Sequence, residues 1–158
     1  AVLGARIALT DRECALRLLN LNVARQRESL AQPPVTLALD WAEVVAAAAR
    51  GCEPEVVERL RNAGFWPVDG IIVADCTFLE DMIEPLFASV LALGRGPPGH
   101  RTEVILSHEH RKAAVDARVM SALDTQLGGV LRRVPDSDLH PDWRCEEISV
   151  WRGTLVAA

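Results

Sequence analysis

The sequence has no tyrosine, and Lys112 is its one lysine among 158 residues. Without tyrosine, no phenolic hydroxyl can take part in the chemistry of the chain. Arginine therefore carries almost all of the positive charge, and the net charge is -5 with a pI near 5.4. Because nucleic-acid binding depends on clustered positive charge, this balance gives no reason to expect a nucleic-acid partner.

Long hydrophobic runs and paired cysteines are also missing. No apolar run approaches the roughly 20 residues that a transmembrane helix needs, and no signal-peptide pattern is visible, so we expect a cytoplasmic protein with no membrane partner. The cysteines are far apart and form no C-x-x-C pair, which excludes a zinc ribbon or a thioredoxin-type motif. We expect them to be reduced, buried thiols. They are Cys14, Cys52, Cys76 and Cys145.

Strand patterns alternate with helical patterns along the chain. Apolar runs predict strands over residues 6–11, 35–41, 69–78 and 102–110, and two closing strands over 130–135 and 146–156. Helical spacing follows each of the first four, with residues 43–66 predicted as one or two helices broken near Gly51 and Pro54. A chain of this length is one domain at most. The alternation predicts an α/β fold with a mostly parallel sheet and an antiparallel C-terminal strand.

Acidic residues follow three of the predicted strands. In an open parallel sheet, ligands bind beyond the carboxyl ends of the strands, where Asp11, Asp40 and Asp75 are predicted to lie. Asp11 could accept hydrogen bonds from both hydroxyls of a ribose, or it could cap the helix that begins near Arg12. Trp41 could border an adenine-sized ring, or it could simply pack at the rim of the core.

Other residues near strand ends allow more than one role. His108 and His110 are spaced like a metal-binding pair, but no third ligand is evident, so we expect a structural or substrate-facing role and no metal. Glu109 could shape the substrate side or form a salt bridge with Arg111. Residues 136–143 could contact another protein, although a turn anchored by Trp143 is the interpretation we favour.

The segment Asp75-Cys76-Thr77-Phe78 follows an apolar strand and precedes a helix that starts with Glu84-Pro85-Leu86. This arrangement resembles the D-x-x-Y/F signature of the family-16 protein methyltransferases, seven-β-strand enzymes that use S-adenosyl-L-methionine, mostly on lysine side chains of non-histone proteins. The tail "HPDWRCEEISVW" is similar to that of members that methylate chaperones. The resemblance covers nearly the whole chain, except an insertion-like helical segment at about 42–68.

The resemblance implies roles for individual residues. Asp11 would bind the ribose hydroxyls of the cofactor, Trp41 would border its adenine, and Ala74 would line the pocket through its backbone. Asp75 and Phe78 would form the mouth through which the target lysine reaches the methyl group. Phe78 departs from the pattern, since the family more often has tyrosine there.

A second departure lies before Asp11. The family opens its cofactor site with a strand and a glycine-rich turn of the E/D-x-G-x-G-x-G kind, and nothing before Asp11 has that form. By the family's topology this strand would lie between the strands that end at Asp11 and Asp75. We therefore expect residues 1–158 to be the C-terminal two-thirds of a single methyltransferase domain, a fragment lacking the first strand of the Rossmann-like sheet.

The resulting hypothesis is S-adenosylmethionine-dependent methyl transfer to a lysine of a non-histone protein, such as a chaperone or a translation factor. The absent glycine turn and Phe78 leave an alternative, a non-catalytic binding module or decayed methyltransferase paralogue. A small-molecule or nucleic-acid methyltransferase is a third option, disfavoured by the acidic charge and the lack of an N-P-P-Y-type motif.

Overall fold

The fold is α/β, as the alternating patterns predicted. The computed structural model describes residues 4–157, which divide into two compact units, one ending at Trp66 and the other beginning at Pro67. The strands are β1 (Ala8–Asp11), β2 (Val35–Ala38), β3 (Gly70–Ala74), β4 (Arg101–Glu109), β5 (Arg132–Arg133) and β6 (Ile148–Val156). The helices are α1 (Leu16–Gln26), α2 (Trp41–Ala49), α3 (Glu55–Asn62), α4 (Ile83–Leu93) and α5 (Ala113–Thr125).

The first unit is a two-stranded parallel sheet with three helices. β1 pairs with β2 in a register that sets Asp11 beside Ala38, so the carboxyl ends of both strands lie at the same rim. The predicted break between α2 and α3 is confirmed, since Gly51 takes a positive φ of 67° and Pro54 precedes the first residue of α3. Buried apolar residues from β2 onward form the core of this unit: Leu39, Val44, Ala47, Val56, Val57 and Leu60.

The predicted end of the second strand was wrong. We expected residues 35–41 to be extended, but β2 stops at Ala38 and Trp41 is the first residue of α2. The carboxylate of Asp40 accepts a hydrogen bond from the backbone N–H of Ala42 at 2.9 Å. Because aspartate is among the strongest helix N-cap residues, this bond starts the helix two residues earlier than the apolar pattern indicated.

The second unit is a four-stranded mixed sheet in the order β3-β4-β6-β5. β3 and β4 are parallel, whereas β6 runs antiparallel to both β4 and β5, as predicted for the C-terminal strands. Burial alternates along β4, whose buried residues are Thr102, Val104, Leu106 and His108. α4 and α5 contribute Ile83, Phe87, Val90, Val119 and Leu123 to the same core.

Among residues 4–157, β1 forms its ladder only with β2, and β3 only with β4. Each of these strands therefore has one edge whose backbone groups join no ladder of the described chain. Ile72, in the middle of β3, is 78% exposed, which is unusual for an apolar residue in a parallel strand. The described residues form six strands in two sheets, rather than the single sheet expected.

Two expectations about individual side chains were wrong. Cys14, Cys52 and Cys145 are free thiols, but they are exposed rather than buried. Trp143 is 82% exposed, so it does not anchor the turn at residues 136–143. Instead, the side chain of His140 caps the start of a short 3-10 helix, Pro141–Trp143, by accepting a hydrogen bond from the N–H of Asp142. Within the described part of the chain, no helix has both the length and the apolar character required to span a membrane.

Candidate functional site

Asp11 and Trp41 lie near the rim formed by the carboxyl ends of β1 and β2. Asp11 is exposed, and its Oδ1 accepts a hydrogen bond from the N–H of Arg12 at 2.7 Å. The residue at the cap position of the following 3-10 helix is Arg12, so the helix-capping interpretation of Asp11 is wrong. Trp41 is half-buried, directly after Asp40. Asp11 and Trp41 therefore both lie close to the same rim of the two-stranded sheet.

A cavity of about 250 Å³ opens beside this rim, within the first unit. Its lining is charged: Glu13, Asp40, Glu43, Glu55 and Arg59, with Ala38, Leu39 and Val56 completing the wall. Arg59 donates to the carbonyl of Ala38 at 3.2 Å and to Glu55 at 2.7 Å. Sequence reasoning missed Arg59, although its spacing of four residues from Glu55 on a helix signals that pair.

In the second unit, Ala74 ends β3 and Asp75 turns the chain away from the sheet. Asp75 has a φ of 53°, the one non-glycine residue of the described chain in the left-handed region. Aspartate tolerates this conformation better than most residues. The turn leaves Asp75 exposed, Thr77 buried and Phe78 about half exposed. The predicted strand over 69–78 therefore ends early, and Asp75 and Phe78 lie on an irregular segment after it.

An arginine after β4 lies beside the carboxylate of Asp75. Arg111 Nη2 is 3.2 Å from Asp75 Oδ1 and also contacts Glu109, so the structure shows the salt bridge that was one of the two alternatives for Glu109. The guanidinium lowers the pKa of Glu109, and the two carboxylates raise the pKa of Arg111, with Glu109 contributing most. Two carboxylates facing one guanidinium leave an excess negative charge, which favours the approach of a cationic group.

A buried histidine connects this segment to α5. His108 is fully buried, with Nδ1 2.7 Å from Thr77 Oγ1 and Nε2 3.0 Å from Asp116 Oδ1. His110 Nδ1 lies 3.5 Å from the other oxygen of Asp116. The three side chains have ligand-type atoms within 4.8 Å of one another, so Asp116 is the third group that the sequence did not reveal. Its position on the first turn of α5, after a short connection from β4, is the signal that could have found it.

A comparison with models of known protein families identifies the family of the chain. A family model described as lysine methyltransferase, family 16, matches residues 1–126. This match spans most of the chain. The chain belongs to the lysine methyltransferase family.

The family match confirms the resemblance and indicates methyl transfer to lysine. The matched residues of this lysine methyltransferase include every predicted site residue: Asp11, Trp41, Ala74, Asp75 and Phe78. They also include His108 and Asp116. The tail that resembles chaperone-directed members lies beyond residue 126, outside the match. No curated protein matches the chain.

Proposed function

We propose that the protein transfers the methyl group of S-adenosyl-L-methionine to a lysine side chain of a non-histone protein. The observation that supports this most is the end of β3, where Asp75 and Phe78 are exposed on either side of the buried Thr77, within the residues that match the family. An acid and an aromatic ring at a strand end can together receive an alkylammonium group.

Bound S-adenosylmethionine would supply an electrophilic methyl group on its sulfonium. For transfer, the lysine nitrogen must be held in line with that methyl group, and positioning of this kind accounts for much of the rate in such reactions. In our proposal Asp75 accepts a hydrogen bond from the lysine nitrogen and Phe78 forms the apolar wall beside it. Asp75 and Glu109 carry one more negative charge than Arg111 neutralises, and this excess attracts the ammonium group of the lysine electrostatically. Before it attacks, the lysine nitrogen releases its proton to the solvent.

The cofactor side of the proposal rests on Asp11, Trp41 and Ala74. Asp11 Oδ2 has no partner among residues 4–157, so its carboxylate can accept from ribose hydroxyls. Trp41 offers an aromatic face close to the same rim. Ala74 is the last residue of β3 and can contribute only its backbone and a methyl group. Asp11 and Trp41, both in the first unit, are suited to the ribose and adenine portions of the cofactor.

We also propose that a further strand, bearing the glycine-rich turn, pairs with the open edges of β1 and β3 and completes a seven-stranded Rossmann-like sheet. The unpaired edges and the 78% exposed side chain of Ile72 support this. Exposed leucines on α1 support it as well, since Leu18 and Leu21 are 63% and 49% exposed.

The proposed substrate is a chaperone or a translation factor of the cytoplasm. The tail resemblance supports a chaperone, and Trp143 gives the same region an exposed aromatic side chain suited to a protein contact. The free thiols of Cys14, Cys52 and Cys145 are consistent with a reducing compartment. The net charge of -5 disfavours a nucleic acid as the substrate.

Replacement of Asp75 tests the proposal. In the protein extended at its N-terminus by a segment that carries the glycine-rich turn, Asp75→Ala should lower methyl transfer from tritiated S-adenosylmethionine into lysate proteins by about 100-fold, because the lysine nitrogen loses its orienting carboxylate. Calorimetry should show unchanged cofactor affinity. Asp81→Ala is the matched control, an exposed acid nearby that should have no effect. Unchanged transfer by Asp75→Ala would refute the role, and absence of cofactor binding by the wild type would favour a binding module.

A further inference from the structure

His108 is a fully buried titratable residue with a partner on each ring nitrogen. It lies near the end of β4, with Thr77 on one side and Asp116 of α5 on the other. The distances are 2.7 Å from Nδ1 to Thr77 Oγ1 and 3.0 Å from Nε2 to Asp116 Oδ1, both within the normal range of a hydrogen bond. The ring therefore links the segment after β3 to the first turn of α5.

The chemistry of the partners fixes the direction of these bonds. An ionised carboxylate only accepts hydrogen bonds, so His108 Nε2 must donate to Asp116. Burial lowers the pKa of His108, against the opposing effect of the Asp116 carboxylate, so the neutral ring is favoured at neutral pH. In that form Nδ1 has only a lone pair, and it accepts from the hydroxyl of Thr77. The hydrogen bonds run in one direction, from Thr77 through His108 to Asp116.

Thr77 is the buried residue of an otherwise exposed segment. It is 4% exposed, while Phe78 next to it is 49% exposed and the Asp75 side chain is exposed as well. No regular secondary structure holds residues 75–79, and Asp75 carries a strained left-handed φ. The hydroxyl of Thr77 is thus an anchor that restricts where Asp75 and Phe78 can lie.

We propose that Asp116 and His108 are positioning residues for methyl transfer, acting through Thr77 to hold Asp75 and Phe78 in the geometry that receives the target lysine. This inference rests on the proposed function and extends it to α5. His108 and Asp116 do not touch the substrate in this proposal. Their role is to fix the direction in which the Thr77 hydroxyl points. This direction in turn restricts the backbone path of residues 75–79.

The same side chains could be taken for a metal site, because His110 completes a group of three. The hydrogen-bond chain is favoured because both nitrogens of His108 are already engaged at short distance. A metal at Nε2 would have to displace that nitrogen's proton and open its contact with Asp116. Moreover, the ring is completely buried, whereas His110 is 39% exposed and lies at ion-pair distance from Asp116.

Two variants of Thr77 test the proposal in the same N-terminally extended protein. Thr77→Val keeps the shape but removes the hydroxyl, and we expect kcat to fall by about 10- to 100-fold with the KM for S-adenosylmethionine unchanged, since misplacement of reacting groups lowers kcat. Thr77→Ser keeps the hydroxyl and should restore kcat. Thr125→Val, at the exposed end of α5, is the matched control. Equal kcat for wild type and Thr77→Val, with both folded by circular dichroism, would overturn the proposal.

Nitrogen NMR of the histidine rings provides a readout that does not depend on activity. The proposal predicts the Nε2–H tautomer for His108 at neutral pH, and a changed Nδ1 shift in Thr77→Val. An Nδ1–H tautomer, or His108 and His110 signals that move on addition of Zn²⁺, would contradict it. Failure of the proposed function would be seen separately, as full activity of Asp75→Ala.

Discussion

At the scale of single residues, Asp75 combines a backbone role with a chemical one. Its left-handed φ of 53° ends β3, and its exposed carboxylate pairs with Arg111. The sequence predicted the carboxylate at the strand end, because the apolar run before it is clear. It could not predict the turn, since aspartate fits both a strand exit and a left-handed position. Nor could it predict the partner Arg111, which β4 brings close through pairing distant in sequence.

His108 makes a prediction for pH dependence. Its pKa in the folded chain lies below its ordinary value of 6.5, chiefly because burial disfavours the charged ring; nearby His110 acts in the same direction and Asp116 opposes both. The unfolded chain therefore binds a proton that the folded chain does not, so the stability from the neutral ring is fully present above about 6.5 and is lost as the pH falls through the folded pKa. We expect the free energy of unfolding to decrease below this pH.

Urea unfolding at a series of pH values measures this effect. His140→Gln should show the same decrease as the wild type, because the side chain of His140 is largely exposed. His108→Gln should show a smaller decrease. If the free energy of unfolding has the same pH profile in His108→Gln and the wild type, His108 does not contribute to its pH dependence.

At the scale of secondary structure, the sequence predicted the elements better than their ends. Apolar patterns found every strand of the described chain, but β2 ends before Asp40 because that side chain caps α2. A capping bond depends on the local backbone, which an apolar pattern does not report. Trp143 was likewise expected to anchor a turn, but its indole is exposed. The short 3-10 helix that contains it is capped by His140.

The packing of β6 gives a prediction at this scale. A Cβ at Gly153 would lie 2.5 Å from the carbonyl oxygen of Val130 and 3.0 Å from Leu131 Cα, both backbone atoms that cannot rotate away. Gly153→Ala should therefore lower the free energy of unfolding by about 1–3 kcal/mol, as overpacking usually does. Urea denaturation is the measurement.

Gly70→Ala is the matched control, since its Cβ would meet only the carbonyl oxygen of Glu103, at an ordinary 3.6 Å. Gly70 is in β3, so the same substitution is compared on two strands of one sheet. Equal free energies of unfolding for the two variants would contradict the prediction, because the backbone near Val130 would then have moved aside without loss of stability.

At the scale of the whole molecule, the prediction concerns the edges of β1 and β3 that join no ladder of the described chain. If a further strand pairs with β3, amide hydrogen exchange in residues 70–74 should be slower in a protein extended at its N-terminus by a segment that carries the glycine-rich turn than in residues 1–158 alone. Calorimetry should show tighter binding of S-adenosylmethionine by the longer form. Equal exchange and equal affinity in the two forms would rule out the proposed strand.

The family could be predicted from the sequence because its most specific motif, residues 75–78, is local. The hydrogen-bond chain that includes Asp116 could not be predicted, because Asp116 is distant in sequence from Thr77. The two residues are linked only through His108 in the folded chain. The acids at the ends of β1 and β3 were likewise predictable as strand ends. Their roles toward cofactor and lysine stay predictions that experiments must decide.

The most direct measurement is the identity of the methylated residue. The N-terminally extended protein is incubated with tritiated S-adenosylmethionine and a cell lysate, and the labelled proteins are hydrolysed to amino acids, which are separated by chromatography. The account predicts that the label elutes with methylated lysine for the wild type and is nearly absent for Asp75→Ala. Label on another amino acid or in nucleic acid, or equal labelling by Asp75→Ala, would contradict it.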